Sequence, residues 1–158
     1  MREPKVVDGL YPSPIGWLGF IMDGDRLARL DWLEPPLTGR RQRRLSPPAR
    51  ETIRCLDKYF KSPHTAPTPR LSPRGTAFQL KVWRALQRIP PGTVKTYGEL
   101  AAELGTGGRA VGQACRSNPI SLFIPCHRAV AAGGLGGYMG KTGNTALKEW
   151  LLRHEGAC

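Results

Sequence analysis

The pattern of apolar and polar positions along the first 34 residues predicts β-strands. Two apolar-rich runs, residues 15–22 and 27–33, flank the polar triplet Asp23-Gly24-Asp25. An Asp-Gly pair between such runs is typical of a β-hairpin, because these residues tolerate the backbone angles that a tight hairpin turn requires. We therefore expect residues 5–34 to form a small antiparallel sheet.

From residue 46 onward, apolar positions recur at helical spacing. Helix starts are indicated by Ser46-Pro47, by Thr76 with Gln79 and by Thr96 with Glu99. Two further helices are expected over residues 109–117 and 144–154. The predicted apolar faces are Ile53, Leu56 and Phe60, then Phe78, Val82, Trp83 and Leu86, then Leu147, Leu151 and His154. The expected helix stops are Pro90-Pro91-Gly92, Gly105, Asn118-Pro119 and Gly156. Strands followed by helices predict the α+β class.

Proline content indicates how the chain divides into domains. Residues 62–74 are rich in proline and typical of an extended linker, so we expect one domain over residues 1–73 and a second over residues 74–158. The first combines the sheet with a helix, and the second is mostly helical. Residues 35–48, rich in Pro and Arg, are interpreted as a solvated, mobile loop; the alternatives are a phosphate contact or a nuclear targeting signal.

Two short helices joined by a tight turn containing glycine predict a helix-turn-helix between residues 97 and 117. The second helix reads Arg109-Ala110-Val111-Gly112-Gln113-Ala114-Cys115-Arg116. Its small side chains allow close approach to another surface, although glycine weakens a helix. That surface is either a neighbouring helix or a nucleic-acid groove, and the charge of the chain favours the groove.

The charge of this 158-residue chain indicates a polyanionic partner. Its formal net charge is +12 and its pI is about 10.2, a balance typical of nucleic-acid-binding proteins. The C-terminal half is basic mainly because acidic residues are scarce there. No apolar run reaches the length of a membrane span, and the N-terminus lacks the apolar core of a signal peptide.

The cysteines argue for free thiols in a reducing interior. None of them forms a C-x-x-C pair, so we expect no zinc site and no other metal. The four cysteines are Cys55, Cys115, Cys126 and Cys158.

The strongest candidate for chemistry is Pro125-Cys126-His127-Arg128. The apolar residues 120–124 precede it, and we expect a buried strand that ends at a Pro-Cys turn and holds the thiol at the mouth of a pocket. A cysteine beside a histidine is a candidate nucleophile, because a neighbouring imidazole or cation favours the thiolate.

Several segments in order resemble the O6-alkylguanine-DNA alkyltransferases, also called methylated-DNA–protein-cysteine methyltransferases. The segments are Gly75-Thr76-Ala77-Phe78-Gln79 with Val82-Trp83, Thr96-Tyr97-Gly98-Glu99-Leu100-Ala101, Arg109-Ala110-Val111-Gly112, Asn118-Pro119, Pro125-Cys126-His127-Arg128, Gly137-Tyr138 and Lys148-Glu149-Trp150-Leu151-Leu152. They cover most of residues 75–156. The N-terminal 70 residues match only loosely, around Ser13-Pro14-Ile15-Gly16.

The resemblance implies a transfer reaction centred on Cys126. The thiolate of Cys126 attacks the methyl or small alkyl group on guanine O6, with O4 of thymine as an open alternative substrate. His127 takes the thiol proton through a bound water, and Glu155 orients His127. Glu149 is a competing candidate for that acid. The resemblance further implies that the Tyr97 hydroxyl protonates the departing guanine.

The remaining implied roles concern the pocket and the DNA. Asn118 supports the turn that carries the cysteine, and Arg109 fills the stack that the flipped base leaves, while the helix enters the minor groove. The implied pocket residues are Cys115, Ala129, Val130, Tyr138 and Met139. The implied DNA-binding residues are Arg109, Ala110, Gly112, Gln113, Ala114, Arg116 and Arg128.

The resemblance also implies a stoichiometric reagent for DNA repair. The thioether product has no easy leaving group, so each molecule acts once, without a cofactor. The expected partner is double-stranded DNA carrying O6-alkylguanine. The expected protein is a monomer, with cooperative binding on DNA left open, and it is cytoplasmic and nucleoid-associated in a prokaryote or nuclear in a eukaryote.

Two departures from the family pattern bear on the site. Residues 97–109 are about two residues shorter than usual, which affects the helix-turn-helix turn, and residues 139–147 are longer, with Met139 replacing a small or polar residue. Three other functions stay open at this point: a lesion-binding relative without transfer, which the presence of Cys126 disfavours, a DNA-binding regulator, and a cysteine hydrolase.

Overall fold

The computed structural model describes residues 5–136 and 145–158. In chain order its elements are β1 (Val6–Val7), β2 (Gly9–Ser13), β3 (Gly16–Asp23), β4 (Arg26–Leu33), β5 (Arg41–Gln42), α1 (Pro47–Lys61), α2 (Ala77–Gln87), β6 (Lys95–Thr96), α3 (Tyr97–Leu104), α4 (Gly108–Arg116), a 3-10 turn (Cys126–Arg128), β7 (Ala129–Val130) and α5 (Thr145–Glu155). The predicted α+β class is confirmed. The chain divides into a first unit, the described residues up to Arg74 with Pro119–Ser121, and a second unit, Gly75–Asn118 with Leu122–Cys158.

The first unit contains the predicted antiparallel sheet, in the order β2-β3-β4. The turn between β3 and β4 uses Gly24 at φ +61°, as the Asp-Gly signal predicts. Gly9 lies opposite Phe20, and a Cβ at Gly9 would stand 2.1 Å from the Phe20 ring. The absence of a side chain at Gly9 therefore lets Phe20 pack fully buried against the strand.

Two segments that the sequence predicts as loops take part in strand pairing in the first unit, one in a separate two-stranded sheet and one at the edge of β4. Part of residues 35–48 is ordered as β5, which pairs in parallel with β1, so the expectation of a mobile loop throughout is wrong. In the proline-rich segment, the carbonyl of Arg70 accepts from Leu27 N at 2.7 Å and Ser72 N donates back to Leu27 at 2.8 Å. Backbone groups left open at a sheet edge explain this capture, because each needs a partner once buried.

Helix α1 starts where the sequence predicts, with the Ser46 hydroxyl accepting from Ala49 N at 3.2 Å. Its buried residues are Ala49, Thr52, Cys55, Leu56 and Tyr59. The predicted face is therefore only partly right: Leu56 is buried, while Ile53 and Phe60 are half-buried. Phe60 instead stacks on Tyr11 of β2, with ring centroids 6.0 Å apart.

The second unit is built around helices α2, α3 and α4. Both predicted capping boxes are present, at Thr76 with Gln79 and at Thr96 with Glu99. Gly105 ends α3 in the left-handed region at φ +67°, as predicted, so α3 and α4 form the helix-turn-helix. The expected apolar stripe of α2 is buried except at its first position, where the Phe78 side chain is 36% exposed.

Helix α5 buries only part of the face that its apolar pattern predicts, since Leu151 is buried as expected but its two predicted companions are not. Its buried residues are Lys148, Leu151, Leu152 and Glu155, whereas Leu147 and His154 are only half-buried. Two of the four are charged, so hydrophobicity alone could not identify this face. Gly156 follows in the left-handed region at φ +82° and Ala157 N donates to Leu152 O at 2.8 Å, as the predicted cap requires. Asn144 lies outside the described residues.

Across residues 5–136 and 145–158, no helix is both long enough and apolar enough to cross a membrane.

Candidate active site and nucleic-acid surface

Cys126 lies in a turn, as predicted, but the segment before it is not a strand. Of residues 120–124, only Ile120 makes a β-bridge, to Leu30, and the following residues form turns in which Leu122 has φ +77°. The predicted buried strand before the cysteine is therefore wrong. Asn118 Nδ2 donates to the carbonyl of Ile124 at 2.8 Å, which ties the end of α4 to the turn. A left-handed non-glycine residue costs energy, so the surrounding packing must hold this turn.

Cys126 begins the 3-10 turn and is 4% exposed, deeper than the expected position at a pocket mouth. Burial raises the pKa of its thiol, while a hydrogen bond from the Asn118 side chain and the charge of Lys148 oppose that rise. The described surroundings therefore keep the sulfur protonated until a base removes its proton. The bonds from the Asn118 side chain to Ile124 O and to Cys126 are those expected of a residue that supports the turn carrying the cysteine.

His127 and Glu155 form a buried pair, with both side chains 0% exposed. His127 Nε2 lies 2.8 Å from Glu155 Oε2. Burial lowers the pKa of His127, and the hydrogen bond and charge of Glu155 oppose this effect. A neutral imidazole against an ionised carboxylate donates from Nε2, so the basic nitrogen of His127 is Nδ1.

Arg128 is inside the protein and is not available to the DNA surface to which the sequence assigned it. Its Nε and Nη2 donate to Glu155 at 2.9 and 3.0 Å, and its Nη1 donates to Ile89 O at 2.6 Å. Burial alone would raise the pKa of Glu155, but hydrogen bonds from His127 and Arg128 hold it well below its ordinary value. Arg128 thus keeps Glu155 ionised.

The competing acid, Glu149, lies on the other side of α5. Its Oε1 accepts from Arg153 Nη2 at 2.6 Å, where the Arg153 side chain is exposed and the Glu149 side chain is partly exposed. Geometry therefore brings Glu155, and not Glu149, to His127.

Lys148 is a site residue that belongs to a family-like segment of the sequence but was given no predicted role. Its side chain is fully buried, its Nζ donates to Ala129 O at 2.6 Å, and it stands 5.7 Å from the centre of the Tyr97 ring. Burial lowers the pKa of Lys148 to about 8, against the opposing charges of Cys126 and Cys115. The available signal was spacing, because Lys148 shares a helix face with Leu151, Leu152 and Glu155.

Tyr97 begins α3 directly after β6, which pairs in parallel with β7 through Lys95–Ala129 and Thr96–Val130. This pairing brings Tyr97 next to the segment that follows Cys126. Burial raises the pKa of Tyr97 to about 12, so its phenol keeps its proton at neutral pH. The sequence also missed Gly136, whose Cβ would stand 3.3 Å from the Tyr97 hydroxyl.

The other predicted pocket residues fall into two groups. Cys115 and Ala129 are buried and Val130 is half-buried, and burial raises the pKa of Cys115 to about 12. Tyr138 and Met139 lie outside the described residues, as does most of the long segment 139–147.

Helix α4 separates its predicted DNA residues into an exposed and a buried set. Arg109, Gly112, Gln113 and Arg116 line an open depression of about 380 Å³. Ala110 is half-buried, whereas Ala114 is 3% exposed and its carbonyl accepts from Trp83 Nε1 at 2.9 Å. Ala114 therefore packs the helix against α2, and the exposed set forms the surface offered to a partner.

Among the described residues no cluster of three His, Cys, Asp or Glu side chains could hold a metal ion.

Fold and site together define a helix-turn-helix protein with a buried cysteine beside a His–Glu pair. Comparison with known proteins gives the family: residues 77–157 match "6-O-methylguanine DNA methyltransferase, DNA binding domain". The chain belongs to the methylated-DNA–protein-cysteine methyltransferase family, which confirms the resemblance of its motifs.

Named relatives and solved structures support this assignment. A methylated-DNA–protein-cysteine methyltransferase of Methanosarcina acetivorans is 44% identical over 112 residues, covering 69% of this chain and 70% of the relative. One from Saccharolobus islandicus is 36% identical over 151 residues, covering 96% of each. The Mycobacterium tuberculosis O6-methylguanine methyltransferase has a TM-score of 0.80 at 35% identity, covering 94% of this chain and 91% of the other. Mycobacterium tuberculosis OGT in complex with DNA gives 0.76 at 36% identity, with the same coverage.

Proposed function

We propose that this protein repairs DNA by moving a methyl or small alkyl group from O6 of guanine to the sulfur of Cys126, once per molecule. The observation that carries the proposal is a buried thiol directly before a histidine whose Nε2 is 2.8 Å from a buried carboxylate. Family membership supplies the reaction class. Cys126, His127, Glu155, Tyr97 and Asn118 take the roles that the motifs imply.

Protonation states of the free site support His127 as the base. Burial raises the pKa of Cys126 and lowers that of His127, so the resting pair is a neutral thiol and a neutral imidazole. A neutral imidazole can take the thiol proton at Nδ1, directly or through one water, while Glu155 stabilises the imidazolium that forms. The sulfur of Cys126 therefore becomes a thiolate only when His127 removes its proton.

The transfer step balances without a cofactor. The sulfur–carbon bond forms as the bond between the alkyl carbon and O6 breaks, and that electron pair stays on the guanine. The Tyr97 phenol donates a proton to the departing base and regains one, by way of His127, that came from Cys126. The products are a thioether and an unmodified guanine. A thioether has no easy leaving group, so the reaction ends after one turnover.

The net charge of the chain and the exposed residues of α4 support DNA as the partner. The net charge is +12, and Arg109, Gln113 and Arg116 are exposed on α4. Because O6 is out of reach inside a duplex, the damaged base must be flipped out, and Arg109 is placed on α4 to enter the gap. We assign binding and transfer to residues 74–158 and a supporting role to residues 1–73, in a protein that acts as a monomer on O6-alkylguanine.

Intact-mass measurement with an O6-methylguanine duplex tests the proposal. Wild-type protein should gain one methylene, once, on the peptide that contains Cys126. Cys126→Ser should bind the duplex and gain nothing. Cys158→Ser is the matched control, because Cys158 is an exposed free cysteine, and it should react like wild type.

Other outcomes would identify a different function. Unchanged protein mass and unchanged DNA, with binding intact, would indicate a DNA-binding regulator or a lesion-binding relative. Repeated turnover on an ester or amide would indicate a hydrolase. Methylation of Cys126→Ser at another residue would refute the choice of nucleophile.

A further inference from the structure

Four arginines lie within five residues of the first unit, at Arg40, Arg41, Arg43 and Arg44. Residues 35–48, which contain them, have no aspartate or glutamate. Positive charges collected this closely repel one another and oppose folding, so the cluster requires acidic partners within the protein or an anionic partner outside it. The contacts of these side chains distinguish the two cases.

Strand pairing fixes this segment and orients its side chains. Arg41 N donates to Lys5 O at 2.7 Å. Arg43 N donates to Val7 O at 2.8 Å, so the pairing of β5 with β1 continues one residue past β5. Arg41 is in register with Val6, which is 40% exposed, whereas the next residue of β5 is in register with the fully buried Val7. Because side chains alternate along a strand, Arg41 and Arg43 share the outer face of this pair, about 7 Å apart.

Acidic groups near β5 neutralise little of this charge. Arg43 Nη1 lies 3.5 Å from Asp8 Oδ1, in an ion pair whose arginine side chain is 56% exposed. The other carboxylate oxygen of Asp8 accepts from Met22 N at 2.7 Å. Arg41 and Arg44 are exposed, and neither side chain makes a hydrogen bond or ion pair with another described residue. The segment therefore presents at least two guanidinium groups that no described residue neutralises.

We propose that Arg41, Arg43 and Arg44, together called the β5 surface, form a second phosphate-contacting surface of this protein, which binds the backbone of duplex DNA. A guanidinium group fits a phosphate because its N–H donors form a planar fork and its charge is permanent. Phosphate contacts carry no base sequence, so the β5 surface adds affinity and salt dependence and no selectivity for a lesion. The inference rests on DNA as the partner under the proposed function, and it gives the first unit a binding role beside its supporting one.

DNA is the anion that the rest of the chain favours for the β5 surface. The same chain matches a DNA-binding domain over residues 77–157. Once that domain holds a duplex, a tethered second surface meets the same DNA at a high local concentration, so that contacts too weak to bind alone still raise the affinity. Exposed arginines on an ordered strand are sufficient for such contacts.

The salt dependence of duplex binding tests the proposal directly. A triple variant with glutamine at positions 41, 43 and 44 removes three charges and keeps the backbone pairing of β5. Because each lost phosphate contact lowers the slope of log affinity against log salt by about 0.9, we expect that slope to fall by up to about 3 and the affinity at low salt to fall at least about tenfold. A slope equal to that of wild type would overturn the proposal.

The matched control removes the same net charge elsewhere in the first unit. It replaces Arg26, Arg54 and Arg70, three exposed arginines, by glutamine. This control variant should keep the salt slope of wild type. Equal losses of slope in the two triple variants would overturn the proposal, because net charge alone would then explain the binding.

Combining these changes with those on α4 separates the two surfaces. Arg109→Gln with Arg116→Gln should leave a residual, salt-dependent affinity for duplex, and the β5 changes should lower that affinity further. Two surfaces that contact the same duplex at independent positions give losses in log affinity that add. The absence of any further loss in the combined variant would overturn a separate contact at β5.

Chemical protection of wild-type protein covers the case in which the triple variant does not fold. Phenylglyoxal modifies accessible arginines, and mass spectrometry of peptides locates the adducts. With unmodified duplex at about 100 times its Kd, modification of Arg41, Arg43 and Arg44 should slow by up to about 100-fold, while Arg26 and Arg54 react nearly as before. Equal modification with and without duplex would overturn the proposal. So would protection by vesicles of phosphatidylserine and phosphatidylcholine but not by duplex, which would indicate a membrane surface.

The proposed function and this inference can fail separately. In the transfer assay the β5 triple variant should keep the maximal rate and need about tenfold more duplex for the half-maximal rate. If duplex binding depends on the β5 surface but no methyl group moves to Cys126, the proposed transfer is wrong and the inference stands. If wild type gains one methylene and the β5 triple variant keeps the salt slope of wild type, the transfer stands and the inference is wrong.

Discussion

Replacing Glu155 with glutamine should destabilise the second unit strongly. The carboxylate accepts from His127 at 2.8 Å and from Arg128 at 2.9 and 3.0 Å, at full burial. Glutamine keeps the shape but removes the charge, and one of its two terminal atoms becomes a donor that faces another donor. Because removing one partner leaves the Arg128 guanidinium buried without its counter-charge, we expect a loss of about 3–5 kcal/mol in unfolding free energy.

Chemical denaturation of Glu155→Gln beside Glu149→Gln measures this loss. Both changes lie on α5, but Glu149 pairs with Arg153 at the surface, where a single ion pair contributes roughly 0–1 kcal/mol. The thermal midpoint should fall by roughly 6–20 °C for Glu155→Gln, at about 2–4 °C per kcal/mol for a chain of this size. Adding Arg128→Met to Glu155→Gln should recover part of the loss, since the stranded charge is then gone.

The pH dependence of stability gives an independent check. Hydrogen bonds from His127 and Arg128 hold the pKa of Glu155 below its ordinary value despite burial. The stability from its ionisation is therefore complete above the unfolded pKa of about 4.3, and it is lost as the pH falls further towards the folded pKa. The gap between wild type and Glu155→Gln should be constant near pH 7 and narrow below about pH 4. Equal denaturation midpoints for Glu155→Gln and Glu149→Gln at pH 7 would refute the reasoning.

Two further predictions concern the exposed face of α4. Gly112→Ala and Gly112→Leu should each raise unfolding stability by up to about 1 kcal/mol, because glycine is a poor helix former and, outside the backbone of α4 itself, no described atom lies within 4 Å of a Cβ there. Both should weaken duplex binding, Leu more than Ala. A duplex affinity for Gly112→Leu equal to that of wild type would show that α4 does not contact the DNA. The double variant Arg109→Gln with Arg116→Gln should bind duplex more weakly and reduce the slope of log affinity against log salt by up to about 2, because phosphate contacts are lost. Lys81→Gln on α2 is the control and should leave that slope nearly unchanged. Identical salt slopes for wild type, the double variant and Lys81→Gln would contradict a phosphate-contacting role for the two arginines.

Local signals explain which parts of the fold the sequence could predict. The caps at Thr76 and Thr96 and the glycine at position 105 act within one helical turn, so their effects can be identified from neighbouring residues alone. The hairpin is equally local, since its turn and its two apolar-rich strands are contiguous in the chain. Cys126 and His127 were identified because they are adjacent in the chain.

Tertiary contacts explain what the sequence could not predict. Residues 120–124 look like a buried strand, but a short apolar run is also compatible with a buried turn, and the positive φ of Leu122 has no local signature. Arg128 is charged and was expected at the DNA-binding surface, and Lys148 is charged and was given no predicted role. Their burial depends on Glu155, Ile89 and Ala129, partners that the fold brings from other elements.

The small residues of α4 illustrate how one pattern can have two causes. The sequence offered two explanations for them, packing against a helix or approach to a groove. Ala114 satisfies the first, because it is buried and its carbonyl accepts the Trp83 indole N–H at 2.9 Å. Outside the backbone of α4 itself, no described atom lies within 4 Å of a Cβ at Gly112, so packing against another element does not explain this glycine. Since a solvent-facing helix position favours alanine over glycine by about 1 kcal/mol, the glycine at position 112 is better explained by close approach of a partner surface, and DNA is the partner that the charge of the chain supports.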